Sequence, residues 1–447
     1  MPYGSGKRLP SEKASKLGHL DVLNSQLVKE LIRSFEEVAA DPQVDKSRWH
    51  PIDFSGTPLD LVFAVDGSFQ VIQDEIPPHK ALAFIKTALM VIDQVRLARV
   101  DKQSPHPFAL RDILLDSALY HATVFPLRHV KVPGRTVYHT IRQIIYESIK
   151  DPSPSIKGEV METLKWIAFE KWSGGQKQLP FFECPHPECA SNRATLQFDC
   201  EEGKCPSCGK TIYLTDMLGF HHDMVEDSAA DVVATSYMGV HETLLLFTGI
   251  RHFWETSREV LHRCLFLKDG PLQIRAQYSK LVQPIRRFLV HAYNKGFPIH
   301  ILGQEKTGLF VEHFELIKRE APNDAFFVPD HTYICEQIQH RPAEGAPYGK
   351  DTNYGVKILA NVAGRHFLVL NLPVVRPMAE YIMKPDIGSL LGLERIAATL
   401  PSLISSRHEN ALIPIELAHS VASLSTYPSA QVLKLFADAE MGRSQTK

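Results

Sequence analysis

Two stretches of the sequence end an apolar run in the same dipeptide. Val62-Phe63-Ala64-Val65-Asp66-Gly67-Ser68-Phe69 and Leu265-Phe266-Leu267-Lys268-Asp269-Gly270-Pro271-Leu272 each carry an Asp-Gly step after apolar residues. One Asp-Gly is good turn chemistry, and a turn is what the first stretch predicts when read alone. Two aspartates at the same end of a mixed sheet can instead form a metal site. Carboxylates about 4 Å apart repel by about 4 kcal/mol at an effective dielectric of about 20. A divalent cation removes that cost, and an all-oxygen ligand set suits Mg²⁺ or Mn²⁺. Ions held in this way stabilise the attacking and leaving oxygens of phosphodiester hydrolysis.

A second constellation lies between them. Cys184-Pro-His-Pro-Glu-Cys189 and Cys205-Pro-Ser-Cys208-Gly209 supply four thiols in two pairs. This spacing suits a tetrahedral four-cysteine zinc ribbon. Two disulfides are the alternative, and a reducing compartment disfavours them. Cys200 and His186 are spare ligand candidates in the same segment. Cys264 and Cys335 sit in apolar runs and read as buried, inert thiols.

Two further residues stand near apolar runs. Phe297-Pro298-Ile299-His300-Ile301-Leu302-Gly303-Gln304-Glu305-Lys306-Thr307-Gly308 reads as a strand entering a Gly-rich loop. Lys306 there is either a phosphate contact or an exposed loop lysine. His419, in Pro414-Ile415-Glu416-Leu417-Ala418-His419, lies on a helical pattern, where a histidine is usually structural or solvated.

The elements that must position these groups are partly visible. Leu20, Leu23, Leu27, Leu31 and Phe35 recur at helical spacing, so residues 20–40 form an amphipathic helix that needs a surface to lie on. Residues 58–74 read as strand, turn and strand. Residues 79–97 look helical (Leu82, Ile85, Leu89, Ile92, Val95), as do 136–149 and 159–172. Residues 228–262 read as mostly helical, broken near Gly249.

Composition excludes several classes. The 447 residues are 44% hydrophobic and 22% charged, with a formal net charge of -2. That is ordinary for a globular protein and does not advertise a nucleic-acid binder, although a neutral protein can carry a basic groove. Arg128, Lys131 and Arg135, and Arg286 with Arg287, are candidate cations for tracking a strand, or simply solvated faces. No run of about 18 uncharged apolar residues exists, so no membrane span is expected. The N-terminus has no apolar signal core, and the expected compartment is the cytoplasm.

Taken in order, the motifs resemble one family. An early strand carries Asp-Gly-Ser, a helix carries a glutamate, a strand carries Asp-Gly-x-Leu, a strand ends in Gly-x-x-Lys-Thr, and a late Pro-x-x-x-Ala-His follows. This pattern, spread over residues 58 to 425, resembles the NurA nucleases, partners of HerA-type hexameric translocases. The resemblance implies an α/β fold with an RNase H-like mixed β-sheet flanked by helices, into which this chain inserts the four-cysteine zinc ribbon. The implied division is an N-terminal tail and helix (1–50), the first part of the core (51–179), the ribbon (180–216) and the rest of the core (217–447). It further implies a homodimer that acts on DNA with a hexameric ATPase, in DNA end processing, repair or defence. The implied activity is Mn²⁺-dependent cleavage, exonucleolytic from the 5′ end with single-strand endonuclease action.

Position by position, Asp66 and Asp269 match the family's metal-binding aspartates, Glu242 its helical glutamate and His419 its late histidine. Lys306 is placed to offset phosphate charge. The family's tyrosine, eight residues before the histidine, is Ala411 here. Glu147 and Glu255 are the other candidates for the third carboxylate. Glu147 lies on the far side of the zinc segment, and Glu255 sits in a polar run. Glu242 has Met238 one turn before it and Leu245 and Leu246 one turn after it, so it would be costly to bury unpaired. The missing tyrosine and the added ribbon keep a second reading open, a catalytically weak or inactive docking subunit of a translocase complex.

Overall fold

A computed structural model describes residues 22–35, 46–74, 77–93, 118–152, 159–189, 191–224, 231–405, 408–424 and 429–445. The chain divides into two units, Met1–Gln43 and Val44–Lys447. In the first, helix α1 (Gln26–Ser34) starts at Ser25, whose hydroxyl accepts from the Val28 amide. Its apolar side chains, Leu27, Leu31 and Ile32, are exposed, as are the flanking Val22, Leu23 and Phe35. The remaining residues of the expected 20–40 helix lie outside the described residues.

The second unit is built on a nine-stranded sheet in the order β1-β9-β10-β11-β8-β7-β2-β3-β4. The strands are β1 (Trp49–Pro51), β2 (Leu61–Gln73), β3 (Ala81–Asp93), β4 (Ala118–Arg128), β7 (Cys264–Asp269), β8 (His300–Glu305), β9 (Ala325–Phe327), β10 (Val356–Val362) and β11 (His366–Leu372). β2, β3 and β4 form an antiparallel meander, and β7 then β8 add in parallel beside β2. This five-strand order with its two parallel additions is the RNase H-like arrangement. β11, β10, β9 and β1 extend it by four antiparallel strands.

Two sequence expectations change here. Asp66-Gly67-Ser68 is not a turn, because β2 runs through it and pairs with β3 without a break from Leu61↔Asp93 to Gln73↔Ala81. Residues 81–93 are a strand, not a helix. Ile85 and Leu89 face one core of the sheet and Met90 and Ile92 the other. A strand buried on both faces reads as a continuous apolar run, and its period does not separate it from a buried helix.

Helices cover both faces. Helices α2 (Val137–Lys150), α3 (Glu159–Ala168), α4 (Asp231–Thr256) and α5 (Val282–Asn294) pack with Phe63, Val65 and Phe266 in the larger core. Helices α6 (Leu393–Leu403) and α7 (Ile413–Ala422) cover Val62, Ala64, Leu265 and Leu267 on the opposite face. Helix α4 passes Gly249 unbroken, where a Cβ would meet Leu89 at 3.4 Å and Phe266 at 3.6 Å, both ordinary contacts.

The cysteine segment is an insertion between β4 and α4, and includes the hairpin β5 (Glu202–Lys204) and β6 (Thr211–Tyr213). It does not stand apart from the sheet's core. Phe182, Ala194, Leu196, Ile212 and Leu214 are buried in the same cluster as α2 and α3. Arg142 of α2 grips Asp216 with two bonds of 2.6 and 2.7 Å, and Tyr138 donates to the Pro185 carbonyl. No helix among the described residues is long and apolar enough to cross a membrane.

Candidate functional site

Strand register brings the two aspartates side by side. β2 and β7 are parallel and pair Val65 with Lys268, so Asp66 and Asp269 occupy the next position of each strand. Alternation then sorts the side chains. Val65, Gly67 and Lys268 face α4, while Asp66 and Asp269 face α7. Partners on the neighbouring strand agree: Thr87, paired with Gly67, meets His241 of α4 at 2.8 Å, and Lys86, paired with Ser68, donates to the Val421 carbonyl of α7 at 2.5 Å.

On the α7 face, His419 Nδ1 lies 2.7 Å from Asp66 Oδ2, and Asp66 Oδ1 accepts from the Gly67 amide at 2.7 Å. Asp66 is buried, while the His419 side chain is 56% exposed, so the ring reaches from solvent to the carboxylate. The contact fixes Nδ1 toward Asp66 and leaves Nε2 available to a ligand. Lys306, on the loop after β8, donates to Asp269 Oδ2 at 3.0 Å. Burial pushes the Asp66 carboxyl up to about 6, Asp269 and Glu242 add to this, and His419 opposes it.

On the α4 face, Glu242 and Lys268 form a buried pair at 2.9 Å, and Lys268 also donates to the Asp269 carbonyl at 3.0 Å. Glu242 is pressed against the strand. A Cβ on Gly67 would stand 2.5 Å from Glu242 Oε1 and 2.6 Å from Met238 Cγ, so a larger residue after Asp66 would have to push both side chains aside. This close approach explains a glycine that the sequence presented as turn chemistry. Burial raises the Glu242 carboxyl, with Lys268 pulling against it. Burial would lower the Lys268 ammonium, yet Glu242 and Asp269 hold it up at about 12.

The site residues named from sequence therefore fall into three contacts: Asp66 with His419, Asp269 with Lys306, and Glu242 with Lys268. Asp66, Glu242 and Asp269 sense one another's charge but do not close around one point. Among the described residues, the one set of three or more His, Cys, Asp or Glu side chains with all ligand atoms within 4.8 Å is the cysteine cluster. Glu147 and Glu255 lie on exposed helix faces, bonded to Gln143 and Arg251 four residues away. Lys268 was not singled out from sequence, because a lysine inside an apolar strand has no motif of its own. Its signal is the cost of burying an ammonium without a carboxylate.

Cys184, Cys189, Cys205 and Cys208 gather into a site that could hold a metal such as zinc. Their Sγ atoms pair at 3.9 Å, Cys184 with Cys208 and Cys189 with Cys205. Zinc–sulfur bonds of about 2.3 Å in a tetrahedron require sulfur separations of about 3.8 Å, so the thiols fit that ion. Burial pulls the Cys205 thiol upward, but amides of Cys208 and Ser207 outweigh it and bring the group to about 7. His186 bonds the Thr211 carbonyl at 2.8 Å, and neither it nor Cys200 joins the cluster.

The basic segments differ from one another. Arg128, Lys131 and Arg135 are exposed. Arg286 is committed to the carbonyls of Gly349, Lys350 and Asn353, and Arg287 to Glu170.

No protein-family model and no curated protein matches the chain. Among solved structures, the crystal structure of NurA aligns over 96% of this chain and 98% of that one, at 11% identity and a TM-score of 0.29. The two superpose too loosely for positions to be transferred between them, so the site rests on its own geometry.

Proposed function

We propose that the protein is a divalent-metal-dependent deoxyribonuclease. The observation that carries this reading is the parallel register of β2 and β7, which puts two acidic side chains on one sheet face beside a histidine. Asp66 and Asp269 would hold the ion, Mn²⁺ or Mg²⁺, with Glu242 the third carboxylate of the set. When bound, such an ion would supply a water of lowered pKa for attack on a phosphodiester. His419, held through Nδ1, would have Nε2 free to accept or return a proton there. Lys306 offsets charge on the phosphate. Zn²⁺ in the four-cysteine cluster is structural. The family resemblance extends the proposal to 5′-to-3′ exonuclease and single-strand endonuclease action, a homodimer, and a HerA-type hexameric ATPase as partner.

Purified protein with labelled single-stranded DNA and Mn²⁺ tests this. Asp66→Asn, Asp269→Asn and Glu242→Gln are each expected to lose at least a hundredfold in cleavage, while Glu147→Gln and Glu255→Gln keep most of it. Near wild-type cleavage by either aspartate variant would overturn the reading. A docking subunit without cleavage is the second reading. It is favoured by Ala411 in the tyrosine's place and by the lysines already paired with Asp269 and Glu242.

A further inference from the structure

A cavity of about 430 Å³ lies between helix α6 and the antiparallel extension of the sheet. Close packing leaves few voids larger than a water molecule in a protein interior. The walls of this one are Ile358, Leu370 and Leu372 of the sheet and Ile396, Ala397 and Leu400 of α6, each at most 4% exposed. Small residues open it from both sides. Ala360 on β10 and Ala397 on α6 leave room that two larger side chains would fill. The mouth, by contrast, is charged. Asp53 and Glu394 line the same cavity and are exposed, so they stand where it opens. The turn over residues 53–56 brings them to one opening. Asp53 Oδ1 accepts from the Ser55 amide at 2.8 Å, and a Cβ added to Gly56 would meet Glu394 Cγ at 3.0 Å. Hydrogen bonds from Ser55 hold the Asp53 carboxyl below its ordinary value, so it is ionised at neutral pH. Among the described residues no lysine or arginine lines the cavity, and His50, packed on Phe326, is the one base in the lining. Arg395, beside Glu394, is committed to the carbonyls of Thr57, Pro58 and His262.

We infer that this cavity binds a small, chiefly apolar molecule that carries a cationic nitrogen. Its apolar body lies between α6 and the sheet, and its ammonium stands at Asp53 and Glu394. The size fits such a ligand. The cavity is about three times the ~150 Å³ that takes one benzene, and it falls in the range of roughly 300–1,000 Å³ usual for ligand sites. The charge fits as well. Carboxylates at the mouth of a low-dielectric cleft focus their field on an entering cation. An ammonium held there keeps part of its water while the chain behind it is buried, as the head of a lysine does. An anion would meet two like charges at the opening, and a wholly polar molecule would leave the walls unmatched. The inference is independent of the nuclease reading, because Asp66, Glu242, Asp269, Lys306 and His419 do not line the cavity.

Three probes with one apolar chain and different heads test this. Octylamine, octanol and octanoate are titrated calorimetrically into zinc-loaded full-length protein at low salt. Octylamine is expected to bind about tenfold more tightly than octanol, with octanoate weakest, and its advantage should shrink as salt is raised. Asp53→Asn combined with Glu394→Gln should bring octylamine down to the affinity of octanol and leave octanol unchanged. Ala397→Phe fills the cavity from the helix and should abolish binding of both. Ala360→Leu does the same from the sheet, and serves if the first variant fails to fold. Octanoate binding as tightly as octylamine would overturn the cationic ligand. Octylamine binding that survives a folded filling variant would overturn the site. No probe bound by wild type would overturn the inference altogether, and a change of oligomeric state in Glu394→Arg would then assign the cavity to a second copy of the chain.

Discussion

At Asp66 the proposed function and stability pull in opposite directions. Burial and its acidic neighbours lift its carboxyl to about 6, against an ordinary value near 3.8. A raised carboxylate is protonated more readily in the folded than in the unfolded state. Its folding contribution is therefore best below the ordinary value, and stability is lost as pH rises from about 4 to about 6. Asp66→Asn should accordingly stabilise the zinc-loaded protein at pH 8, without added Mn²⁺, by on the order of 2 kcal/mol. The advantage should fade toward pH 4 while cleavage stays absent, and denaturant melts at the two pH values check this. Gly67 has the reverse character. Gly67→Ala drives a methyl group against Glu242 and Met238. A loss of about 1–3 kcal/mol is expected from such overpacking, together with reduced cleavage. A stability equal to wild type would show that α4 is not pressed against β2 as described.

At the scale of elements, the zinc ribbon behaves as part of the core and not as an appended module. Its apolar residues share a cluster with α2 and α3, and Arg142 ties α2 to Asp216. Structural zinc contributes on the order of 10–16 kcal/mol of apparent binding free energy, which is also local folding energy. Cys205→Ser should remove the zinc and unfold residues 180–216. Because the hairpin is packed against α2, hydrogen exchange should also rise across Val137–Lys150 while β2 and β7 stay protected. Full-strength protection of the ribbon in zinc-free protein would contradict this. Elemental analysis of protein purified without chelator is expected to give about one zinc per chain.

For the whole molecule, the exposed apolar residues of the N-terminal unit matter most. Val22, Leu23, Leu27, Leu31, Ile32 and Phe35 are all more than 45% exposed on a segment of one short helix. A helix that presents so much apolar surface gains from a partner. Its expected uses are packing in the proposed homodimer or docking on the proposed ATPase. Leu27→Asp with Leu31→Asp should weaken dimerisation or ATPase capture in light-scattering and co-purification experiments, and leave cleavage of free DNA unchanged. Wild-type protein that is monomeric at micromolar concentration and captures no translocase would reject both uses.

The sequence by itself determined the local chemistry. Thiols paired at short spacing are marked as ligand candidates before folding, although the fold must still bring Cys184 to Cys208 and Cys189 to Cys205. The repeated Asp-Gly steps drew attention to Asp66 and Asp269, but only the parallel pairing of β2 and β7 brings them side by side; helix α2 was legible from its sequence. What needed the tertiary structure was everything carried by long-range pairing. β3 is buried on both faces, so its pattern matched a helix as well as a strand. β9, β10 and β11, with residues drawn from 325–372, left no recognised signal, because their partners lie far away in sequence. Strand register together with the packing of α4 and α7 on opposite faces set Lys268 against Glu242 and His419 against Asp66, 353 residues apart. Which face a carboxylate meets, and which cation meets it, depends on alternation along a strand whose course the sequence does not announce.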